Sequence, residues 1–196
     1  MRGAPLAALL IIAGLAGSEA HTGRTFYDDV TLAQVVEGAD AIVVATPADP
    51  PRRTATFPVK GKPEEPFSYA VQRYVVVEIA HEAGTSKSQK PALTGGATIE
   101  VYGANLQGQL HVHELYVAQG VSKSPIYSRY EPTPATDDAA DADARRVLLI
   151  RRGQDLHGKP AWKFVVDGAV ERMATLPLVL KLRQRETPNL ASPADE

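Results

Sequence analysis

Histidine gives this chain its clearest opening to metal chemistry. His111 and His113 occur as "HVH", and on an extended strand two residues separated by one share a face, close enough for both imidazoles to grip one cation. His21 follows the stretch "SEA" (18–20), whose small residues Ser18 and Ala20 suit the −3 and −1 positions of a signal-peptidase site. Cleavage after Ala20 makes His21 the first residue; a competing cut after Ser18 leaves Glu19 first. A terminal histidine chelates through its α-amine and its imidazole, and a third nitrogen completes a T-shaped site. His21, His111 and His113 are therefore candidate ligands for copper or zinc, with copper expected to bind nitrogen donors more tightly. The competing reading is a polar strand face on which two histidines lie, since Glu114 follows at once and points to the opposite face.

Other reaction chemistries leave no trace. The chain has no cysteine, which removes thiol nucleophiles, thiolate zinc sites and iron–sulfur ligation. It has no G-x-S-x-G elbow, phosphate-binding loop or dinucleotide fingerprint. The acidic run at Asp137, Asp138, Asp141 and Asp143 lacks the glycine and distal glutamate of a calcium loop and reads as a solvated loop. Tyr127, Arg129 and Tyr130 in "IYSRY" form a candidate binding surface for carbohydrate or peptide; the competing role for the two tyrosines is to anchor a long loop.

Arg2, the apolar run Leu6–Gly17 and the small residues after it have the layout of a secretory signal over residues 1–20. The expected location is periplasmic or secreted. The net charge of −2 provides no electrostatic footprint for nucleic acid, and after the signal no segment is apolar enough to span a bilayer, so neither nucleic acid nor membrane is an expected partner. The remaining length suits one domain, 21–185, with a tail at 186–196 expected to be disordered.

These residues need elements to position them. Thr31 with Gln34 makes a capping-box pattern for a short helix with Leu32, Val35, Val36 and Ala39 inward, ending at Gly38 in the left-handed region. "DAIVVATP" reads as a buried strand. Residues 47–66 hold six prolines and read as an exposed insertion. A long strand follows from Phe67 to Ala80, with Tyr69, Val71, Val75, Val77 and Ile79 facing in. "ATIEVYG" alternates again, with Ile99 and Val101 inward, and Gln109–Gln119 reads as its hairpin partner. A polar loop spans 120–144. "RRVLLIRRG" and "AWKFVVDG" then read as a closing strand pair with Val147 and Leu149 inward. From Ala169 a helical spacing of Val170, Met173, Leu176, Leu180 and Leu182 begins, interrupted at Pro177.

The expected fold class is α+β: a small antiparallel β-barrel or curled sheet with a short N-terminal and a C-terminal helix. The layout of a short helix, "ADAIVVATP", a long second strand, "GATIEVYG" and "RRVLLIRRG" resembles exported bacterial barrel domains of the oligonucleotide/oligosaccharide-binding (OB) type. More distantly it is similar to the barrel of the tissue inhibitors of metalloproteases. The first resemblance implies a fold; the second implies an inhibitor that inserts its N-terminal amine into a protease. His21 after a signal peptide also resembles the copper-binding terminus of lytic polysaccharide monooxygenases. The leading expectation is a non-catalytic exported binding or structural domain, with an exported peptide, protein or carbohydrate as partner.

Overall fold

A computed structural model of the 196-residue chain describes residues 26–84, 91–119, 126–133 and 144–185. His21, the signal-like segment, the acidic run and the tail lie outside them. The chain enters through β1 (Phe26–Asp29) and α1 (Leu32–Glu37). The capping box at α1 is complete: the Thr31 hydroxyl accepts from the Gln34 amide, and the Gln34 side chain accepts from the Thr31 amide at 2.8 Å. Val35, Val36 and Ala39 are buried. Gly38 ends the helix with a right-handed φ of −75°, contrary to the left-handed turn expected. Glycine is required there by close approach, because a Cβ would lie 2.8 Å from Cγ1 of Val165.

Five strands close a barrel. β2 (Ala41–Val59) pairs antiparallel with β3 (Lys62–Glu82), which pairs antiparallel with β4 (Thr98–Tyr102). β4 runs parallel to β7 (Pro160–Phe164), β7 pairs antiparallel with β6 (Arg146–Gln154), and β6 returns to β2 through Ala41–Ala45. The fold is α+β with a small closed barrel, as the alternating apolar runs imply. The sheet is mixed rather than purely antiparallel because one crossover, through α2 (Leu106–Gln119), separates β4 from β6. Val147 to Ile150 are all fully buried. β6 is thus covered on both faces, which its unbroken apolar run requires.

Three expectations are corrected. First, the proline-rich residues 47–66 are not an insertion; they form the far half of the β2–β3 hairpin, where Ala55, Phe57 and Val59 are buried and their neighbours exposed. Beyond Ala45, β2 has no second strand partner, and β3 meets β4 only at Gln72–Val75. A two-stranded ribbon leaves outward N–H positions at which proline costs no ladder bond. Second, Val77 is half exposed while Val76 is buried. The ladder steps from Val44–Glu78 to Ala45–Val76, and the residue left over at this β-bulge reverses the phase. Third, 109–119 belongs to α2 and is not a strand.

The other elements wrap this barrel. β5 (Ile126–Arg129) pairs in parallel with β1 to make a separate two-stranded sheet. Val170 belongs to β8 (Val170–Arg172), which pairs with β6, and not to the terminal helix. A short 3₁₀ turn (Met173–Thr175) leads into α3 (Leu176–Arg185). Pro177 lies in the first turn, where amides have no intrahelical acceptor, so it starts this helix and does not break it. Val179 is buried, and Leu176, Leu180 and Leu182 pack on the main core with α1. Arg183 of α3 donates to the backbone oxygens of Val36 and Glu37 and to Nε2 of His81, tying both helices to β3.

Candidate binding cleft

Strand alternation puts Ile99 and Val101 into the main core and Glu100 and Tyr102 on the opposite face of β4. Arg53 of β2 reaches the same face across β3. Its Nε and Nη2 meet the two carboxylate oxygens of Glu100, each at 2.5 Å, and Nη2 is 3.2 Å from the Tyr102 hydroxyl. This bidentate fork is the strong form of the pair, since both N–H groups and both oxygens are matched in one plane. Behind it lies a second small core of Ala55, Phe57, Val71, Tyr102, Leu106 and Ala161. Leu106 comes from α2, so the helix helps to hold the floor of the site.

The rim is supplied by the β6–β7 turn. Asp155 is nearly buried, and its Oδ1 accepts from the amides of His157 (2.8 Å) and Lys159 (2.9 Å). Gly158 takes the left-handed conformation (φ 75°) that this tight turn needs, and His157 packs on Phe57 with ring centroids 4.8 Å apart. Between fork and turn lies an open cleft of about 430 Å³ lined by Arg53, Glu100, Tyr102, Asp155, Lys159 and the largely buried Trp162, among others. That volume falls in the range of small-molecule sites. Arg53 and Lys159 stand among its lining with Glu100 and Asp155, so donors and acceptors are both presented.

Electrostatics keep the fork charged. The Arg53 hydrogen bond holds the Glu100 carboxyl below its ordinary range, aided by the charges of Arg53 and Arg73 and opposed by burial. Arg53 is raised in turn, chiefly by the same bond. Burial raises the Tyr102 hydroxyl, which accepts from Nη2 of Arg53. With a depressed folded-state pKa, Glu100 contributes stability above the ordinary glutamate value and loses it as pH falls through the lowered value. Replacing Arg53 by Gln should move the Glu100 titration upward, read by carboxyl NMR. The stability cost should stay within about 1 kcal/mol, since both side chains are more than a third exposed.

His111 and His113 do not share the strand face expected of them, and His21 lies outside the described residues. On α2, residues two apart lie about 200° round the axis, so His111 and His113 do not share a face. His111 is exposed; the half-buried His113 ring packs on Phe67 at 5.5 Å, with Nε2 buried and without a hydrogen-bond partner among the described residues. Among the described residues no three histidine or carboxylate side chains gather as a metal centre needs.

The aromatic surface is also revised. Tyr130 is buried, its hydroxyl donates to Glu171, and its pKa is pushed up to about 12, first by burial and then by that bond. Glu171 accepts further bonds from the Thr133 amide and hydroxyl, so Tyr130 anchors the segment after β5. Half-buried Tyr127 lies against Gly108 of α2, where a Cβ would come within 3.1 Å of its ring. Arg129 pairs with Glu131 and, at 3.9 Å, with Asp29. These three side chains fix the second sheet; they do not form one open surface.

Arg53, Glu100, Tyr102, Asp155 and Lys159 were not visible as a group in the sequence. Only the alternation in "TIEVY" places Glu100 and Tyr102 together, and Arg53 lies inside the stretch that reads as an insertion. Fold and cleft together define a small α+β barrel domain with a mixed-charge groove across β2, β4 and the β6–β7 turn. No protein-family model, no curated protein and no solved structure matches the chain.

Proposed function

We propose that this chain is a non-catalytic binding domain, exported to the periplasm or secreted, whose cleft takes a neutral, hydroxyl-rich ligand such as an oligosaccharide. The observation that carries the reading is the cleft itself. Two cations, Arg53 and Lys159, and two carboxylates, Glu100 and Asp155, line it, with Arg53 forked to Glu100, so it offers donors and acceptors with balanced formal charge among these four. A polyanion such as nucleic acid requires a basic surface, whereas a polyol exploits alternating donors and acceptors beside an aromatic ring. The order of the barrel strands, with a helix between β4 and β6, supports the resemblance to OB-type barrels. The histidine metal reading loses its shared strand face, since His111 and His113 diverge on α2.

Trp162 is the chain's single tryptophan and lines the cleft, so it reports occupancy directly. A panel of neutral and acidic oligosaccharides and of short peptides should be titrated while its fluorescence is followed. Saturable change with a neutral saccharide, lost in a Glu100→Gln, Asp155→Asn double variant that keeps its melting temperature, is the expected result. Binding of peptides alone, or saccharide binding indifferent to both substitutions, would overturn the assignment.

A further inference from the structure

Consecutive arginines of β2 project to opposite faces. Arg53 enters the cleft; Arg52 enters a second groove of about 490 Å³. The groove is opened by an irregularity in the hairpin: Pro47 pairs with Tyr74 and Arg52 with Gln72, so residues 48–51 bow out opposite the single residue Arg73. Pro47 and Pro51 form walls, Tyr74 and Val170 an apolar floor, and Arg52, Arg73 and Arg146 all line the space, with no carboxylate among the lining residues.

The guanidiniums of β2 and β3 are held, not loose. Arg52 donates from Nε to the Gln72 side chain at 3.2 Å, and Arg73 donates from Nη1 to the Pro50 carbonyl at 3.0 Å. Each bond uses one nitrogen and leaves the remaining N–H groups of a planar fork. Among the described residues neither Arg52 nor Arg73 belongs to an ion pair. Glu100, the carboxylate paired with Arg73 across β3 and β4 and lowered in part by the Arg73 charge, has both oxygens forked to Arg53 and makes no direct ion pair with Arg73. Tyr74 senses the charge: burial raises its hydroxyl, and the proximity of Arg52 and Arg146 works against that rise.

We propose that this groove is an oxyanion site, separate from the cleft, which takes the carboxylate or phosphate group of a small organic ligand whose ring or chain rests on Pro47, Pro51 and Tyr74. Forked guanidiniums match both groups in geometry, and the proline and tyrosine surfaces match an apolar body.

The test is an amide NMR titration of the chain with benzoate, phenyl phosphate and, as the uncharged control, benzyl alcohol. Saturable shifts at residues 52 and 72–74 with at least one anion, and none with the alcohol, are expected; the tighter anion identifies the group. An Arg52→Gln, Arg73→Gln variant should weaken binding by about tenfold or more, while Arg151→Gln, which removes an exposed charge elsewhere, should stay within about twofold. Should the double Gln variant melt early, Arg52→Lys, Arg73→Lys keeps the charge and loses the fork, and weakened binding is expected there too. No saturable shift with either anion, an equal loss in Arg151→Gln, or full affinity in the folded Lys variant would overturn the proposal.

Discussion

Leu149→Asp is expected to leave the chain unfolded at 25 °C, and Val76→Asp to cost nearly as much, whereas Val77→Asp should leave a cooperative melt within about 1 kcal/mol of the parent. Leu149 is fully buried in the centre of β6, paired with Ile42 of β2, with its amide bonded to Ala169 and its carbonyl to Val165. No cation faces this position from the strands on either side. An unpaired buried carboxylate must either stay charged, at several kcal/mol, or take up a proton and still forfeit the burial of the leucine side chain, about 1.5–3 kcal/mol. Domains of this size hold about 5–15 kcal/mol in total, so one such change consumes most of it. Val76 and Val77 are chain neighbours with opposite fates, 1% and 50% exposed. Urea melts of the three variants read the phase of β3 directly. Severe loss in Val77→Asp with a mild effect in Val76→Asp would show that the bulge is absent and that uninterrupted alternation holds.

That comparison marks where sequence periodicity carries the fold and where it stops. Val147, Leu149, Ile99 and Val101 are buried as alternation and apolar runs indicate, because those strands are short and regular. β3 is long enough to need bulges to follow the barrel's curvature, and each bulge shifts the pattern by one residue without any mark in the sequence. α2 misleads for a different reason. Its apolar residues are spread round the helix, with almost no amphipathic bias, so the local run "LHVHELYV" alternates like a strand. The buried contact that fixes it, Leu106, precedes the alternating part. Prolines argue against a sheet interior and are silent about an edge ribbon, so nothing in the sequence shows that Arg53 lies on a strand facing Glu100. Tyr130 was legible as an anchor, although its partner Glu171 lies 41 residues away and only the tertiary fold brings them together.

Gly168→Ala should be the most damaging single-methyl change outside the barrel core, and Gly61→Ala provides its internal reference. Both glycines have left-handed φ, +87° and +80°, so each alanine pays the same local conformational penalty of about 1–2 kcal/mol. At Gly61, the tip of the β2–β3 hairpin, the new methyl meets nothing within 4 Å. At Gly168 it would sit 2.1 Å from the Tyr130 carbonyl oxygen, and that oxygen belongs to backbone held on several sides. The Tyr130 amide donates to the Asp167 carbonyl at 2.8 Å, its hydroxyl is bound by Glu171, and the Asp167 carboxylate accepts from the Ala104 amide and the Asn105 side chain at the start of α2. Relief of the clash must therefore separate the second sheet and the α2 entry from the barrel. An excess of at least about 2 kcal/mol over Gly61→Ala is expected, seen as a melting temperature lower by several degrees. The Tyr130 amide should lose hydrogen-exchange protection while amides of β6 keep theirs, because the barrel closes without β1 and β5. Equal losses in the two alanine variants would mean that Tyr130 is not seated against Gly168, and the attachment of the second sheet would have to be redrawn.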